Sequence, residues 1–261
     1  MIPACIAIGI LAIAYGLLFL AGLRFTVTHS EIRSKKIRKP FRVVQVSDLH
    51  DQSFGEGQSR LLEAIRNEKP DLIAITGDLF NRHNSKAHRS AFCFAEKVTA
   101  IAPTFFSEGN HEWSLKETGA QYVGTIASMG VHILYDAYED LNECRLIGLK
   151  QRADAQTLKS MIDPERFNLA LAHRPELFAD YAAAGVDAVL SGHAHGGQIR
   201  IGRRGIYAPG QGAFPHYTAG TYRIGNSVLF VSRGLGNTVP VPRVFNVPEL
   251  CVIDFLPETG E

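Results

Sequence analysis

Cysteine is scarce in this chain, and two motifs typical of common hydrolases are missing. The four cysteines, Cys5, Cys93, Cys144 and Cys251, lie far apart and form no C-x-x-C pair. This spacing argues against a zinc–thiolate site and against a dense disulfide framework. The sequence also has no G-x-S-x-G nucleophile elbow, and no Walker A lysine follows the glycines at residues 55 and 57. A serine-hydrolase elbow and a P-loop are therefore excluded.

Charge is almost absent from one end of the chain. Residues 2–23 contain no Asp, Glu, Lys or Arg, whereas residues 24–42 contain seven Lys or Arg and one acid, Glu31. Residues 43–261 contain 20 basic and 25 acidic residues, so the main body is net acidic. An acidic body argues against nucleic acid as a partner. The basic segment beside the apolar run favours a membrane surface instead.

The uncharged run at residues 2–23 predicts a transmembrane anchor over residues 1–24. A helix of that length spans roughly the 30 Å of a bilayer core. A cleaved signal peptide would begin with a basic region, and a buried core helix of this length would rarely lack a polar face. Because the basic segment, residues 25–40, follows the run, the positive-inside rule predicts a single-pass protein whose main domain, residues 41–261, is cytoplasmic.

Strand-like and helix-like segments alternate from residue 41 to about residue 190. Short apolar runs predict strands at 41–47, 71–76, 103–107, 131–135, 146–149, 168–172 and 186–190. One-sided apolar patterns predict helices at 58–68, 88–100, 121–129, 155–162 and 178–184. An edge strand is expected at 25–32, and residues 198–255 show only short strand patterns. This order predicts an α/β body with more than one sheet.

Side chains that can bind metals follow five of these strands where they end. They are Asp48 and His50, Asp78, Asn110 with His111, His173, and His193 with His195. Loops at the carboxyl ends of neighbouring strands in an open α/β sheet gather in one crevice. About seven N and O ligands would then surround one point, enough for two divalent ions that share a carboxylate. Each group alone is equally compatible with a turn or a helix cap, so their order and placement carry the prediction.

This ordered set of motifs resembles that of the calcineurin-like metallophosphoesterases. The pattern D-x-H, G-D, G-N-H-E, a single His and G-H-x-H covers roughly residues 41–200. The resemblance implies a four-layer α/β/β/α sandwich for the catalytic domain. It also implies that Asp48, His50 and His195 bind one ion, that Asn110, His173 and His193 bind the other, and that Asp78 bridges them. His111 would be the catalytic acid/base residue beside the ions.

One position departs from the pattern of some family members. They carry Asp three residues after the bridging Asp, where it pairs with the catalytic His, whereas this chain has Asn81. An amide can orient the ring of His111 but adds no negative charge, so it would raise the proton affinity of the ring less. The ligand set of imidazole, carboxylate and amide favours two Mn, Fe or Zn ions over Ca.

The resemblance implies hydrolysis of a phosphodiester or pyrophosphate bond by in-line attack of a hydroxide shared between the ions. The apolar run, the G-H-x-H-G-G-Q motif and residues 231–236 resemble a membrane-associated subgroup that includes hydrolases of UDP-2,3-diacylglucosamine. A lipid-linked substrate is therefore expected, with Arg174 and Arg233 as candidates to bind a second phosphate. A nucleotide phosphodiesterase, a phosphoprotein phosphatase and a non-catalytic docking protein on the same fold are the alternatives.

Overall fold

The structure is a computed structural model that describes residues 15–16, 24–83, 88–151, 154–238 and 241–258. Among these residues, no helix combines the length and the apolar character needed to cross a bilayer. The predicted anchor at residues 2–23 lies outside the described residues, apart from Tyr15 and Gly16, so it stays a prediction.

The first sheet has six strands, most of them parallel. They are β1 (Thr26–Ser34), β2 (Phe41–Val46), β3 (Leu72–Thr76), β4 (Thr104–Ser107), β5 (His132–Ile133) and β16 (Glu249–Pro257), in the order β1-β16-β2-β3-β4-β5. Strands β2 to β5 run parallel, and β16 runs antiparallel to β2. The predicted edge strand is confirmed as β1, which pairs in parallel with β16 and so joins the basic segment to the sheet.

The second sheet also has six strands. They are β6 (Ala137–Asp140), β7 (Arg145–Gly148), β8 (Asn168–Leu171), β9 (Ala188–Ser191), β14 (Gly220–Ile224) and β15 (Ser227–Val231), in the order β14-β15-β9-β8-β7-β6. Two small hairpins lie between β9 and β14 in the chain. One pairs β10 (Arg200–Ile201) with β11 (Arg204–Gly205), and the other pairs β12 (Tyr207–Ala208) with β13 (Gly212–Ala213).

In the described ranges from residue 24 onward, six α-helices complete the layers: α1 (Ser59–Asn67), α2 (Arg89–Val98), α3 (Asn110–Ser114), α4 (Glu117–Ser128), α5 (Ala155–Met161) and α6 (Phe178–Ala184). Helices α1, α2 and α4 share a buried core with one face of the first sheet. Helices α5 and α6 share a second core with the second sheet. A third core joins the two sheets to each other. The predicted α/β/β/α layering is therefore present.

The alternation of side chains along the central strands explains this layering. In β2, Val43 packs between the sheets while Val44 and Val46 pack under the helices. In β3, Ile73 and Ile75 likewise face the helices. Successive side chains of a strand point to opposite faces, so a strand that is covered on both faces must be apolar on both.

The carboxyl ends of the central strands of both sheets meet at one edge. The side chain of Gln45 is fully buried there, and its Nε2 donates to the carbonyl oxygen of Ser191, 3.0 Å away, across the two sheets. The same nitrogen donates to Thr76 Oγ1 at 2.9 Å. A buried amide that spans both sheets fixes their relative position at the edge where the predicted ligands lie.

Candidate metal centre

Most of the predicted ligands lie on strained backbone. Five of them have a left-handed φ although none is glycine: Asp48 (50°), His50 (48°), Asp78 (54°), His193 (66°) and His195 (46°). Such a conformation costs on the order of 1–3 kcal/mol at a non-glycine residue and persists only where the surroundings impose it. The surrounding fold therefore imposes this conformation on the loops after β2, β3 and β9, which carry the predicted ligands.

The predicted ligands converge in three overlapping groups. Their ligand atoms lie within 4.8 Å of one another in the groups Asp48–His50–His195, Asp78–His173–His193 and His50–Asp78–His111. His173 Nε2 also lies 3.1 Å from Asn110 Oδ1, which places the seventh predicted ligand beside the second group. All of these side chains are buried except that of Asn110, which is half-buried. The structure thus brings together all seven residues that the sequence predicts as ligands.

The spacing of the donor atoms suits metal ions. His50 Nε2 lies 3.3 Å from His195 Nε2, and His195 Nε2 lies 3.5 Å from Asp48 Oδ1. His173 Nε2 lies 3.3 Å from Asp78 Oδ2. Two ligands bound about 2.1 Å from one ion are roughly 3–3.5 Å apart at ordinary coordination angles. The residues therefore fit two ions, with Asp78 between them.

The ring of His173 is oriented by the backbone of the first sheet. Its Nδ1 lies 2.8 Å from the carbonyl oxygen of Thr76, which can only accept, so Nδ1 carries the proton. The lone pair of the neutral ring is then on Nε2, which faces Asp78 and Asn110. A ligating histidine typically donates its other N–H to a carbonyl or carboxylate in this way.

Asp78 is held by a carboxylate to which the sequence interpretation assigned no role. Glu112 Oε2 accepts from the backbone N–H groups of Asp78 (2.9 Å) and Gly109 (3.0 Å), and Oε1 accepts from that of Phe80 (3.0 Å). Asp78 Oδ1 in turn accepts from the backbone N–H of His111 at 2.8 Å. Glu112 therefore locks the loop after β3 to the loop after β4. Its place in the G-N-H-E motif is the signal that could have revealed this role.

His111, the predicted catalytic histidine, is oriented by Arg82 and not by Asn81. His111 Nδ1 accepts a hydrogen bond from the backbone N–H of Arg82 at 3.0 Å. The side-chain oxygen of Asn81 accepts instead from the backbone N–H of His83. The neutral ring of His111 therefore carries its proton on Nε2, which lies 3.9 Å from Asp78 Oδ2. In this tautomer Nε2 is a donor, and it faces the space between the ligands.

The charges of the cluster call for cations. Burial alone would raise the pKa of Asp78, but the surrounding imidazoles, His173 above all and then His111 and His50, together hold it well below its usual range. Burial would lower the pKa of His173, yet the carboxylate of Asp78 raises it to about 10. Burial lowers the pKa of His111 and of His195 to about 3. Positive charge is thus favoured beside Asp78, where the protonated ring of His173 supplies it, and a divalent ion that displaces this proton from Nε2 would supply it instead.

One contact of His195 is not typical of a histidine that binds a metal ion. The buried guanidinium of Arg243 lies 3.1 Å from His195 Nδ1 and donates to it, so the neutral ring carries its proton on Nε2. Arg243 also donates to the carbonyl oxygens of Arg233 and Gly236. Ligation through His195 Nε2 therefore requires either loss of that proton, with the resulting charge paired to Arg243, or a rotation that ends the contact.

Comparison with known proteins identifies the family of this site. The family model described as calcineurin-like phosphoesterase matches residues 41–197, more than half of the chain. The chain belongs to this family. It is therefore a metal-dependent phosphoester hydrolase, as the sequence predicts.

Two relatives of this metallophosphoesterase illustrate how far the similarity extends. The uncharacterized metallophosphoesterase YkuE of Bacillus subtilis is 29% identical over 225 residues, which cover 81% of this chain and 78% of the relative. The phosphodiesterase YaeI of Escherichia coli is 28% identical, and the match covers 76% of each chain.

Solved structures share the fold at low sequence identity. The protein TT1561 of Thermus thermophilus matches with a TM-score of 0.50 at 12% identity, over 76% of this chain and 91% of the other. A 5′-nucleotidase precursor from the same organism matches with a TM-score of 0.51 at 13% identity, over 76% of this chain and 50% of the other. These matches support the fold of the metallophosphoesterase and carry nothing about its substrate.

The two arginines predicted to bind substrate are already paired with acids. Arg174 Nε donates to Glu176 Oε1 at 2.7 Å, and Glu176 Oε1 lies 4.0 Å from His193 Nε2, so this pair borders the metal centre. Arg233 donates to Glu249 through both Nε (2.8 Å) and Nη2 (2.7 Å). Each guanidinium would have to share its charge between an acid and a phosphate, and the substrate role of both stays a prediction.

Proposed function

We propose that this metallophosphoesterase hydrolyses a phosphodiester or pyrophosphate bond, with two Mn, Fe or Zn ions held by the seven residues named above. The observation that carries the proposal is the pair of ligand groups on either side of Asp78. The naming of the relative YaeI as a phosphodiesterase supports the diester class. When bound, the two ions would neutralise charge on the phosphoryl oxygens and activate a water molecule for attack.

The remaining chemistry belongs to side chains of the chain itself. Asp78 and the surrounding imidazoles would hold the ions and so set where a phosphoryl group can bind. His111 donates from Nε2 to one of its oxygens, because its Nδ1 already accepts from Arg82. A preorganised donor of this kind stabilises charge that develops in the transition state.

The test is hydrolysis of bis(p-nitrophenyl) phosphate by the purified chain after chelation and reloading with each metal. Asp78→Ala should abolish metal-dependent turnover because it removes the carboxylate that lies between the two ligand groups, 3.7 Å from His50 Nε2 and 3.3 Å from His173 Nε2. Glu139→Ala removes a carboxylate that is 40% exposed, lies on the edge strand β6 and belongs to none of the three ligand groups, and should leave the rate unchanged. Wild-type turnover in Asp78→Ala would refute the assignment of the site.

We further propose that the substrate is lipid-linked, as in the subgroup that includes hydrolases of UDP-2,3-diacylglucosamine. The apolar run at residues 2–23 and the seven basic residues at 24–42 support this proposal, since they would hold the domain at the cytoplasmic face of a membrane. A screen of UDP-linked lipids, nucleotide diesters and phosphopeptides tests the substrate. Faster turnover of a nucleotide diester or a phosphopeptide would favour the alternatives.

A reporter fused at Glu261 tests the membrane orientation. A reporter that is active only outside the cytoplasm would overturn the proposed orientation.

A further inference from the structure

Exposed apolar side chains are concentrated beside the metal centre. Among the described residues, eleven large apolar side chains are exposed, and seven of them lie in residues 199–214 and 241–247. The most exposed are Phe245 (86%), Phe214 (77%) and Ile201 (71%). These two segments are called the apolar rim below. Scattered single exposures need no explanation, but a local concentration marks a surface that meets another apolar phase.

Backbone hydrogen bonds join the two segments of the rim, and a side-chain hydrogen bond joins the rim to a predicted ligand. The backbone N–H of Arg200 donates to the carbonyl oxygen of Val244 at 3.0 Å, and that of Phe214 donates to Ile206 at 2.8 Å. Asn246 Nδ2, next to Phe245, donates to the carbonyl oxygen of His195 at 2.7 Å. The rim is therefore a connected border of the metal centre.

The stretch of sequence that contains the rim carries charges of one sign only. Residues 188–248 contain six arginines and no Asp or Glu. Arg203 and Arg204 are exposed in the hairpin that also presents Ile201. Exposed apolar side chains next to cations, with no acid in the same stretch, complement a surface of hydrocarbon beneath anionic headgroups.

The uncharged run of the sequence joins the body at the same edge. Strand β1 follows it, and the backbone N–H of Thr26 donates to the carbonyl oxygen of Pro248 at 2.9 Å. Val247 directly precedes Pro248 in the chain, and Phe245 lies three residues before it. Thr26 pairs with Glu249 near the carboxyl end of β2, the end that leads to Asp48. A segment that enters a bilayer from Arg24 would therefore bring the rim, and not the opposite end of the sheets, to the membrane.

We infer that the apolar rim seats on the surface of an anionic lipid bilayer, so that the metal centre opens directly at the membrane. The inference rests on the proposed function, because a lipid-linked phosphoester could then reach the site without leaving the bilayer.

Tryptophan fluorescence in the full chain tests this contact. The chain has one tryptophan, Trp113, which Trp113→Phe removes. In that background, Phe245→Trp places a probe in the rim. Ile224→Trp is the matched control, because Ile224 is 40% exposed and lies at the end of β14 away from the metal centre. Each variant is placed in nanodiscs of phosphatidylcholine and phosphatidylglycerol, with and without brominated acyl chains.

The inference expects brominated lipid to remove most of the emission of Phe245→Trp and to leave that of Ile224→Trp unchanged. Arg203→Gln with Arg204→Gln should reduce the quenching in discs that contain phosphatidylglycerol. Equal quenching of both probes would overturn the inference. An unquenched Phe245→Trp would also overturn it, and two copies in one disc would then identify the rim as a self-interface. Because quenching needs no turnover, a quenched rim without diester hydrolysis would refute the proposed function alone.

Discussion

His111 and His173 lie in the same cluster, but the backbone gives their rings opposite roles. The carbonyl oxygen of Thr76 fixes the proton of His173 on Nδ1 and leaves Nε2 as a ligand. The N–H of Arg82 fixes the proton of His111 on Nε2 and makes it a donor. Sequence motifs indicate which residues gather at the site, but they do not reveal these tautomers, because the deciding partners are backbone groups that only the fold brings near.

Replacing His111 by Ala should lower kcat by roughly 10²- to 10³-fold, the usual cost of one preorganised donor. The ions should remain bound, because the ligand groups of Asp48 and His173 do not require His111. Steady-state kinetics measures the first effect and metal analysis after gel filtration the second.

Substrates with different leaving groups distinguish two possible roles of His111: a hydrogen-bond donor to a phosphoryl oxygen, and a general acid. A donor to a non-leaving oxygen gives the same loss in His111→Ala for a nitrophenyl diester and for a methyl diester. A general acid gives a much larger loss for the methyl diester, whose leaving group must be protonated. Equal losses are expected, and a methyl-diester loss many times larger would contradict the tautomer read from the structure.

At the scale of elements, the central strands and helices lie close to their predicted positions. The strand predicted at 41–47 is β2, Phe41–Val46, and the helix predicted at 178–184 is α6, Phe178–Ala184. Apolar patterns identify such buried elements because burial imposes the pattern. Helix α3 has five residues, too few for a helical period, and β6 is a half-exposed edge strand, so the apolar pattern indicates neither of them.

The apolar patterns of the sequence do not predict how closely neighbouring elements pack. A Cβ at Gly192 would overlap Ser47 Oγ and Asp48 Oδ2, so only glycine lets the turn after β9 approach the loop after β2. In the structure the next residue, His193, donates its backbone N–H to Asp48 Oδ2 at 3.1 Å. Gly192→Ala should displace Asp48, weaken metal binding and destabilise the fold by about 1–3 kcal/mol, as overpacking does.

Calorimetry of metal binding and thermal unfolding check this expectation. Gly124→Ala is the control, because Gly124 is in helix α4 and an added Cβ meets nothing within 4 Å. It should leave metal affinity unchanged and stabilise the fold by roughly 0.5–1 kcal/mol through helix propensity. Wild-type metal affinity in Gly192→Ala would show that the close approach does not position Asp48.

For the whole molecule, the order of strands follows from pairings that are remote in sequence. Strand β16 inserts between β1 and β2, so that Thr28 lies opposite Cys251 and Gln45 lies opposite the same residue on the other side. No local pattern encodes a pairing across more than 200 residues. The motifs nevertheless predict the metal centre, because loops at the carboxyl ends of parallel strands meet whatever the strand order.

The two sheets contribute different candidate ligands to the same cluster, so metal binding there should stabilise the whole fold. Asp48, His50 and Asp78 come from loops of the first sheet, and His173, His193 and His195 from loops of the second. At a free ion concentration about 100 times Kd, each site adds about 2.7 kcal/mol, so two sites together should raise Tm by roughly 10–20 °C. Differential scanning calorimetry with Mn²⁺ and with EDTA measures this shift. Asp78→Ala should lose most of it, whereas Glu139→Ala should retain it. If circular dichroism shows a folded chain and its Tm is the same with Mn²⁺ and with EDTA, the clustered side chains hold no ions.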